Sequence, residues 1–271
     1  MSLLAIDCGN TNTGFAIFEG ETCLGSWRTS TNAARTADEY AVWLSQLLAL
    51  NGLEHSDISE VIIANVVPET AFNLHQLCTR HFRVTPMVVG SGDVDPGIDI
   101  LIENPKEVGA DRVVNAVGAR ERYGTPLVII DFGTATTFDV VDASGGYAGG
   151  VISPGIALSL EALYRSAAQL PRIAITPPPS GLGEPGRVIG RTTRQAMQAG
   201  IFWGYVGLIE GITSRIVTEF GAPMTVIATG GLAPVFARHL DVVDHVDHDI
   251  TLRGLVLIHR RNRDRSAGST P

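Results

Sequence analysis

The sequence predicts an α/β protein built from two copies of one structural unit. Short apolar runs typical of strands alternate with longer segments in which apolar residues recur at helical spacing, which is the pattern of α/β proteins. An apolar run also ends in the motif Asp-x-Gly twice, at Asp7 and at Asp131, and similar strands and turns follow both motifs. The two aspartates are 124 residues apart. This distance is far too long for a solenoid repeat, so it indicates a duplicated domain.

The first half is predicted to begin with three strands joined by tight turns. The first apolar run ends at a turn rich in Gly and Asn, and Glu19–Glu21 separates the next two strands. Apolar residues at helical spacing follow Asp38, and the pair Asn51-Gly52 ends that helix. The predicted elements are strands at Leu3–Asp7, Gly14–Phe18 and Cys23–Arg28, a helix at Asp38–Leu50, a strand at Val61–Ala64, a helix at Glu69–His81 and a strand at Val84–Val89.

The second half repeats this plan and adds one long helix. The elements are strands at Pro126–Asp131, at Phe138–Val141 and from Tyr147, helices near Ala157–Ala168 and Thr193–Phe220, a strand at Thr225–Ala228, a short helix, a strand at Val242–Val246 and a helix near Leu252–Arg261. The Pro- and Gly-rich segment Thr176–Gly186 is predicted to be a loop. We therefore predict domains at residues 1–117 and 118–261, followed by a frayed polar tail at 262–271.

Composition excludes several classes of protein. Only one of the 20 basic residues is a lysine, and this residue, Lys106, follows Pro105 rather than glycine, so the chain has no P-loop. A net charge of −8 argues against nucleic-acid binding. There is no apolar run of about 18 residues to cross a membrane, and the start lacks the basic region of a signal peptide. Three scattered cysteines do not indicate a disulfide framework, so we expect a cytoplasmic protein.

The two Asp-x-Gly turns have the composition of phosphate-binding loops. Glycine lets main-chain N–H groups approach a phosphate, and Thr and Asn side chains add donors. An aspartate at the end of the strand can hold a cation beside the phosphates. Each turn alone could be an ordinary hairpin, for which Asp, Gly and Asn are common. Two copies at matching positions, with Ala228–Gly231 after a late strand, favour a clamp for a triphosphate that needs no lysine.

These segments resemble the superfamily of actin, sugar kinases and heat-shock ATPases. Asp7–Thr13 is similar to its first phosphate loop, Asp131–Thr137 to its second and Ala228–Gly231 to its adenosine-side turn. The resemblance to type III pantothenate kinases is closer and covers residues 3 to about 260. It is carried by Asn104–Arg112, Asp131–Asp139, Gly149–Gly155, Leu170–Arg172 and Ala196–Gly200. It implies two ribonuclease H-like domains of the actin-like ATPase fold with a cleft between them.

The resemblance also implies a reaction and its site. ATP would phosphorylate pantothenate, the first step of coenzyme A biosynthesis, with Mg²⁺ and a monovalent cation, K⁺ or NH₄⁺. Asp111 would be the general base, Asp131 would bind the monovalent cation, and Arg112 would pair with the carboxylate of pantothenate. The expected ATP-binding residues are Asp7, Cys8, Gly9, Asn10, Thr11, Asn12, Thr13, Gly14 and Thr134. The expected substrate-binding residues are Gly109, Ala110, Asp111, Arg112, Thr193 and Ile102, which stands where the family often has a tyrosine.

A homodimer is a further implication of the resemblance, with pantothenate bound near the subunit interface. Four glycines fall on one face of the long predicted helix, which favours close helix packing, and the resemblance implies that this packing lies near the interface. They are Gly200, Gly204, Gly207 and Gly211.

Other interpretations of the same residues stay open at this point. By spacing alone, Asp111 could simply stabilise a helix N-terminus through the helix dipole. The chain could also be a kinase for another small hydroxylated substrate, or a nucleotide-binding accessory factor of gene expression without kinase activity. The presence of Asp7, Asp111 and Asp131 together argues against the accessory factor, because a protein without catalysis would not need all three.

Overall fold

The computed structural model describes residues 2–166, 170–178 and 186–268. The chain divides into two compact units. The first joins the residues up to Arg122 with those from Asp249 onward, and the second is Tyr123–His248. The boundaries predicted from the sequence, 1–117 and 118–261, differ from this division. They assign the last helix to the second half of the chain, whereas that helix belongs to the first unit.

The described residues form ten strands and seven α-helices. The strands are β1 (Ser2–Cys8), β2 (Asn12–Glu19), β3 (Thr22–Ser30), β4 (Ile58–Asn65), β5 (Met87–Val88), β6 (Leu127–Phe132), β7 (Ala135–Val141), β8 (Tyr147–Pro154), β9 (Thr225–Thr229) and β10 (His245–Val246). The helices are α1 (Ala37–Leu50), α2 (Ala71–Gln76), α3 (Ala110–Tyr123), α4 (Ile156–Ser166), α5 (Thr193–Phe220), α6 (Ala233–Phe236) and α7 (Ile250–Gly268). A π-helical turn, Leu77–Phe82, continues α2.

The two units contain five-stranded sheets of the same topology, which confirms the predicted duplication. Their strand orders are β3-β2-β1-β4-β5 and β8-β7-β6-β9-β10. In each sheet the central strand, β1 or β6, is antiparallel to the next strand and parallel to the fourth strand of its unit. Central strands of this kind are covered on both faces, which explains why β1 and β6 are continuous apolar runs.

Helix α7 completes the first unit although it is the last element of the described chain. It contacts β1 and β4, and its residues Ile250, Leu255 and Ile258 are fully buried. It also crosses α3 closely, because Gly118 of α3 and Gly254 of α7 each lie against the main chain of the other helix. Apolar spacing predicts that such a helix packs on a sheet, but not which of two similar sheets it covers.

Several predicted boundaries move. The expected polar tail is helical in its first part, because α7 continues to Gly268 and Asn262 is buried, while residues 269–271 lie outside the described part of the chain. The predicted strands Val84–Val89 and Val242–Val246 shorten to β5 and β10, of two residues each. Helix α4 covers its prediction up to Ser166, and Ala168 lies outside the described residues, as does much of the predicted loop Thr176–Gly186. No helix in the described part of the chain is long and apolar enough to cross a membrane.

Candidate active site

The first Asp-x-Gly turn lies between β1 and β2. In β1, Asp7 is half-buried while every other residue is buried. The turn Gly9–Asn12 is closed by a hydrogen bond from Gly9 N to Asn12 O at 3.0 Å, and its residues Asn10, Thr11 and Asn12 are exposed. Exposed main-chain and side-chain donors on a tight turn can bind phosphate oxygens. We call Gly9–Asn12 loop 1.

Two of the predicted ATP-binding residues point into the protein instead. The side chains of Cys8 and Thr13 are almost fully buried. The Thr13 hydroxyl lies 3.4 Å from Cys8 Sγ, and Cys8 Sγ lies 3.3 Å from Thr70 Oγ1. These two side chains therefore pack beneath loop 1 in the interior of the first unit. Only the main-chain groups of Cys8 and Thr13 are available to a ligand.

The second Asp-x-Gly turn lies at the matching place in the second unit. Asp131 is the one half-buried residue of β6, as Asp7 is of β1. The turn that follows is held by bonds from Gly133 N to Ala135 O (3.1 Å) and from Gly155 N to Thr134 O (3.2 Å). The two aspartates thus occupy equivalent positions at the carboxyl ends of two central strands.

The Asp131 carboxylate lies directly against the turn that follows β9. A Cβ atom added to Gly230 would be 2.5 Å from Asp131 Oδ1 and 2.7 Å from Phe132 N, and Gly230 has a φ of +90°. Only glycine fits this position without displacing the carboxylate or the main chain. The structure therefore brings together two segments that the sequence singled out separately, Asp131–Thr137 and Ala228–Gly231.

Tyr205 of α5 contacts the second turn and was missed by the sequence analysis. Its hydroxyl makes a short, buried hydrogen bond with Thr136 Oγ1, and its ring packs edge-on against Phe132. Burial raises the pKa of Tyr205, and the negative charge of Asp131 raises it further. A tyrosine in an apolar helix resembles any other core residue, so only the fold reveals this contact.

The predicted catalytic segment forms the first turn of α3. Asp111 Oδ1 accepts a hydrogen bond from Arg112 N at 2.8 Å. A Cβ atom on Gly109 would lie 2.6 Å from the same oxygen, so the glycine leaves room for the carboxylate in this orientation. Burial raises the pKa of Asp111, although the N–H and guanidinium of Arg112 act in the opposite direction.

The Asp111 segment and loop 1 lie at the same edge of the first sheet. A Cβ atom on Gly109 would be 3.6 Å from Val66 Cγ1, and Val66 N donates to Cys8 O at 3.1 Å. Val66 follows β4, which is parallel to β1. Because the carboxyl ends of parallel strands meet at one edge of a sheet, this arrangement places Asp111 near the end of β1.

The other residues predicted to bind the substrate are exposed or half-buried. Thr193 is exposed at the start of α5, next to the N-cap residue Thr192, whose hydroxyl accepts from Gln195 N at 3.2 Å. Ile102 is half-buried in the segment before α3, and Lys106 is exposed in a short turn of that segment. In the described part of the chain, no three or more His, Cys, Asp or Glu side chains are grouped to hold a metal ion.

Comparison with known proteins shows the family to which the chain belongs. The sequence model of type III pantothenate kinases matches residues 3–215. A Rhodospirillum rubrum protein named type III pantothenate kinase is 61% identical over 261 residues, which cover 96% of this chain and 99% of that protein.

Solved structures of remote relatives share the fold. A Campylobacter jejuni protein assigned to a Baf family of transcriptional activators has a TM-score of 0.58 at 18% identity, covering 96% of this chain and 99% of its own. The activator of 2-hydroxyisocaproyl-CoA dehydratase from Clostridium difficile, solved with bound ADPNP, has a TM-score of 0.54 at 13% identity, covering 100% and 99%. At these identities the likeness concerns the fold alone, which is that of actin-like ATPases and sugar kinases. The match across the chain, however, places it in a family: this protein belongs to the type III pantothenate kinases.

Proposed function

We propose that this chain transfers the γ-phosphoryl group of ATP to the 4′-hydroxyl of pantothenate, the first step of coenzyme A biosynthesis, with Asp111 as the general base. The observation that carries the proposal is the Asp111 carboxylate, held by Arg112 N beside Gly109 at the edge where loop 1 lies. The family match spans loop 1, Asp111 and Asp131.

Asp111 suits this role because burial makes it a stronger base than an exposed aspartate. Its carboxylate takes the proton of the pantothenate hydroxyl as the oxygen bonds to the γ-phosphorus. The bond from that phosphorus to the bridging oxygen breaks, and ADP leaves. Arg112 pairs with the pantothenate carboxylate, and Gly109, Ala110, Ile102 and Thr193 line the same substrate.

The triphosphate is bound by main-chain and hydroxyl groups of both turns. In the first unit these are the residues Asp7–Gly14, with Asn10, Thr11 and Asn12 exposed to the ligand. In the second unit Thr134 contacts the nucleotide. The charge on the phosphates is met by cations rather than by lysine, since the single lysine, Lys106, lies in the substrate segment.

The carboxylates of Asp7 and Asp131 are donors of the kind that hard cations prefer. Asp131 is the proposed ligand of a monovalent cation, K⁺ or NH₄⁺, as the family resemblance implies, and its carboxylate lies against the glycine turn at Gly230. Mg²⁺ accompanies ATP and keeps several waters, so few protein ligands are required for it. When bound, these cations neutralise charge that develops on the phosphoryl group.

A homodimer is supported by the glycine face of α5. A Cβ atom added to Gly200, Gly204 or Gly207 would meet no described atom within 4 Å, while the opposite face of the helix is buried. The close packing expected at these glycines is thus not supplied by the described part of one subunit. A second copy of the chain, seated on this face, would supply it. We place the enzyme in the cytoplasm, where ATP is available.

The test is pantothenate-dependent release of ADP. Asp111→Asn should lower the rate by about 10²–10⁴-fold, while Lys106→Ala, in the same segment, should retain most of it. Equal turnover in Asp111→Asn and the wild type would remove Asp111 from the mechanism. Activity that is the same in Na⁺ as in K⁺ would contradict the role of Asp131.

Two results would favour the alternatives to pantothenate kinase activity. Faster turnover of a sugar or another small alcohol in a substrate panel would indicate a different kinase. Tight ATP binding without turnover of any substrate would indicate a nucleotide-binding regulator. Among the residues that the structure describes, no contact favours either alternative.

A further inference from the structure

The end of strand β3 holds loop 1 at two points. Thr31, the residue after β3, donates its main-chain N–H to Thr11 O at 2.9 Å. Its side-chain hydroxyl donates to Gly9 O at 2.6 Å. One residue therefore binds two carbonyl groups of a four-residue loop, and the sequence analysis gave it no role.

The bond to Gly9 O fixes the direction of an amide group. A trans peptide unit is planar, so its C=O and N–H point in opposite directions. Because the carbonyl of the Gly9–Asn10 peptide points at Thr31, the Asn10 N–H points away from β3. Asn10 is exposed, so a phosphate oxygen can reach this side of the loop.

Thr31 is itself held by the buried groups under the loop. The Thr31 hydroxyl also contacts Thr13 Oγ1 at 2.9 Å. Thr13 is fully buried and continues the chain of contacts to Cys8 and Thr70. The Thr70 hydroxyl donates to Val67 O at 2.8 Å. The hydroxyl of Thr31 is thus positioned before any ligand binds.

We propose that Thr31 is a positioning residue for ATP: its hydroxyl turns the Gly9 carbonyl away from the phosphates and aims the Asn10 N–H at them. The inference rests on the proposed function only in that loop 1 binds the phosphates of ATP. Thr31 need not touch the nucleotide, and it acts through the main chain of loop 1. Preorganised amides bind an anion better than amides that must first reorient.

The test compares Thr31→Val, which keeps the shape but loses the hydroxyl, with Thr31→Ser, which keeps the hydroxyl. Thr79→Val is the matched control, because the Thr79 hydroxyl also donates to a main-chain carbonyl in the first unit, His75 O at 3.0 Å. Binding of Mg–ATP is measured by calorimetry without pantothenate, and steady-state kinetics then give KM for each substrate. Circular dichroism checks that each variant is folded.

We expect Thr31→Val to weaken Mg–ATP binding and to raise KM for ATP by about three- to tenfold, the effect of one neutral hydrogen bond. KM for pantothenate should change less than about twofold, and Thr31→Ser and Thr79→Val should bind ATP like the wild type. The proposal is overturned by unchanged ATP binding in Thr31→Val, by equal weakening in Thr31→Ser or Thr79→Val, or by an equal rise in both KM values.

Two other outcomes can be distinguished from these: a variant that does not fold, and a wild-type protein without pantothenate kinase activity. If Thr31→Val does not fold, Thr31→Ala takes its place against Thr31→Ser, with the same two expected results. A wild-type protein that binds Mg–ATP but does not phosphorylate pantothenate would contradict the proposed function, whereas the calorimetric comparison of the variants would still decide the role of Thr31.

Discussion

The crossing of α3 and α7 gives a prediction whose size can be worked from the structure. Substituting Gly118→Ala adds a Cβ atom that would overlap the Ile250 carbonyl oxygen and lie 3.0 Å from Gly254 N. Ordinary van der Waals contact begins at 3.4 Å. Both obstructing groups are main-chain atoms of α7, so they cannot rotate away as a side chain could. The helix would have to move as a whole.

Moving α7 disturbs contacts that the structure shows to be tight. The Thr251 hydroxyl donates to Asn115 Oδ1 at 2.7 Å across the crossing, and Ile250 beside it is fully buried. Overpacking of this kind costs about 1–3 kcal/mol. Alanine regains about 0.5–1 kcal/mol over glycine inside a helix. We therefore expect Gly118→Ala to lower the free energy of unfolding by up to about 2.5 kcal/mol.

Urea denaturation followed by circular dichroism measures this change. Gly254→Ala strains the same crossing from the other side, against Val114 O. The double variant of Gly118 and Gly254 should thus lose less than the two single losses added together. A Gly118→Ala midpoint at or above that of the wild type would refute the reasoning.

Three other outcomes follow from individual contacts. Because burial raises the pKa of Asp111, kcat/KM for pantothenate should fall as pH falls through that raised pKa, and Asp111→Asn should be at least as stable as the wild type near neutral pH. Burial lowers the pKa of His259, so its contribution to stability is complete above about pH 6.5 and is lost as pH falls toward the lowered value. The urea midpoint of His259→Asn should therefore depend less on pH over that range. Asn262→Leu removes the bonds from Asp95 N (2.9 Å) and to Asp95 O (2.8 Å), so it should lower the free energy of unfolding in urea by about 1–3 kcal/mol.

The sequence was most informative about features that depend on a few neighbouring residues. Asp7 and Asp131 each follow an apolar run and precede a glycine, so the repeated turn and the duplicated sheet were predictable from short segments. Helix α3 was not among the predicted elements, although a helix N-terminus at Asp111 was one interpretation of the local spacing. The resemblance to a kinase family supplied what spacing alone left open, namely the reaction and the role of each residue.

Contacts distant in sequence could not be predicted in this way. The hydroxyl of Thr31 bonds a residue 22 positions earlier, and Tyr205 bonds one 69 positions earlier. No spacing rule connects such pairs. The prediction that assigned α7 to the second half of the chain differs from the structure for the same reason, since the apolar face of α7 fits either of two similar sheets. The burial of Cys8 and Thr13 depends on elements packed beneath loop 1, which the motif itself does not contain.

The division of the chain also has a consequence for biosynthesis. The ribosome makes Tyr123–His248 as one continuous stretch, so this unit can fold as soon as it emerges. The strands of the other unit are made earlier, yet their sheet lacks α7 until residues 250–268 have been made. Until then the surface of β1 and β4 that α7 covers is exposed to solvent. We therefore expect the half of the enzyme that is translated first to be the half that finishes folding last, and to be the one that chaperones must protect.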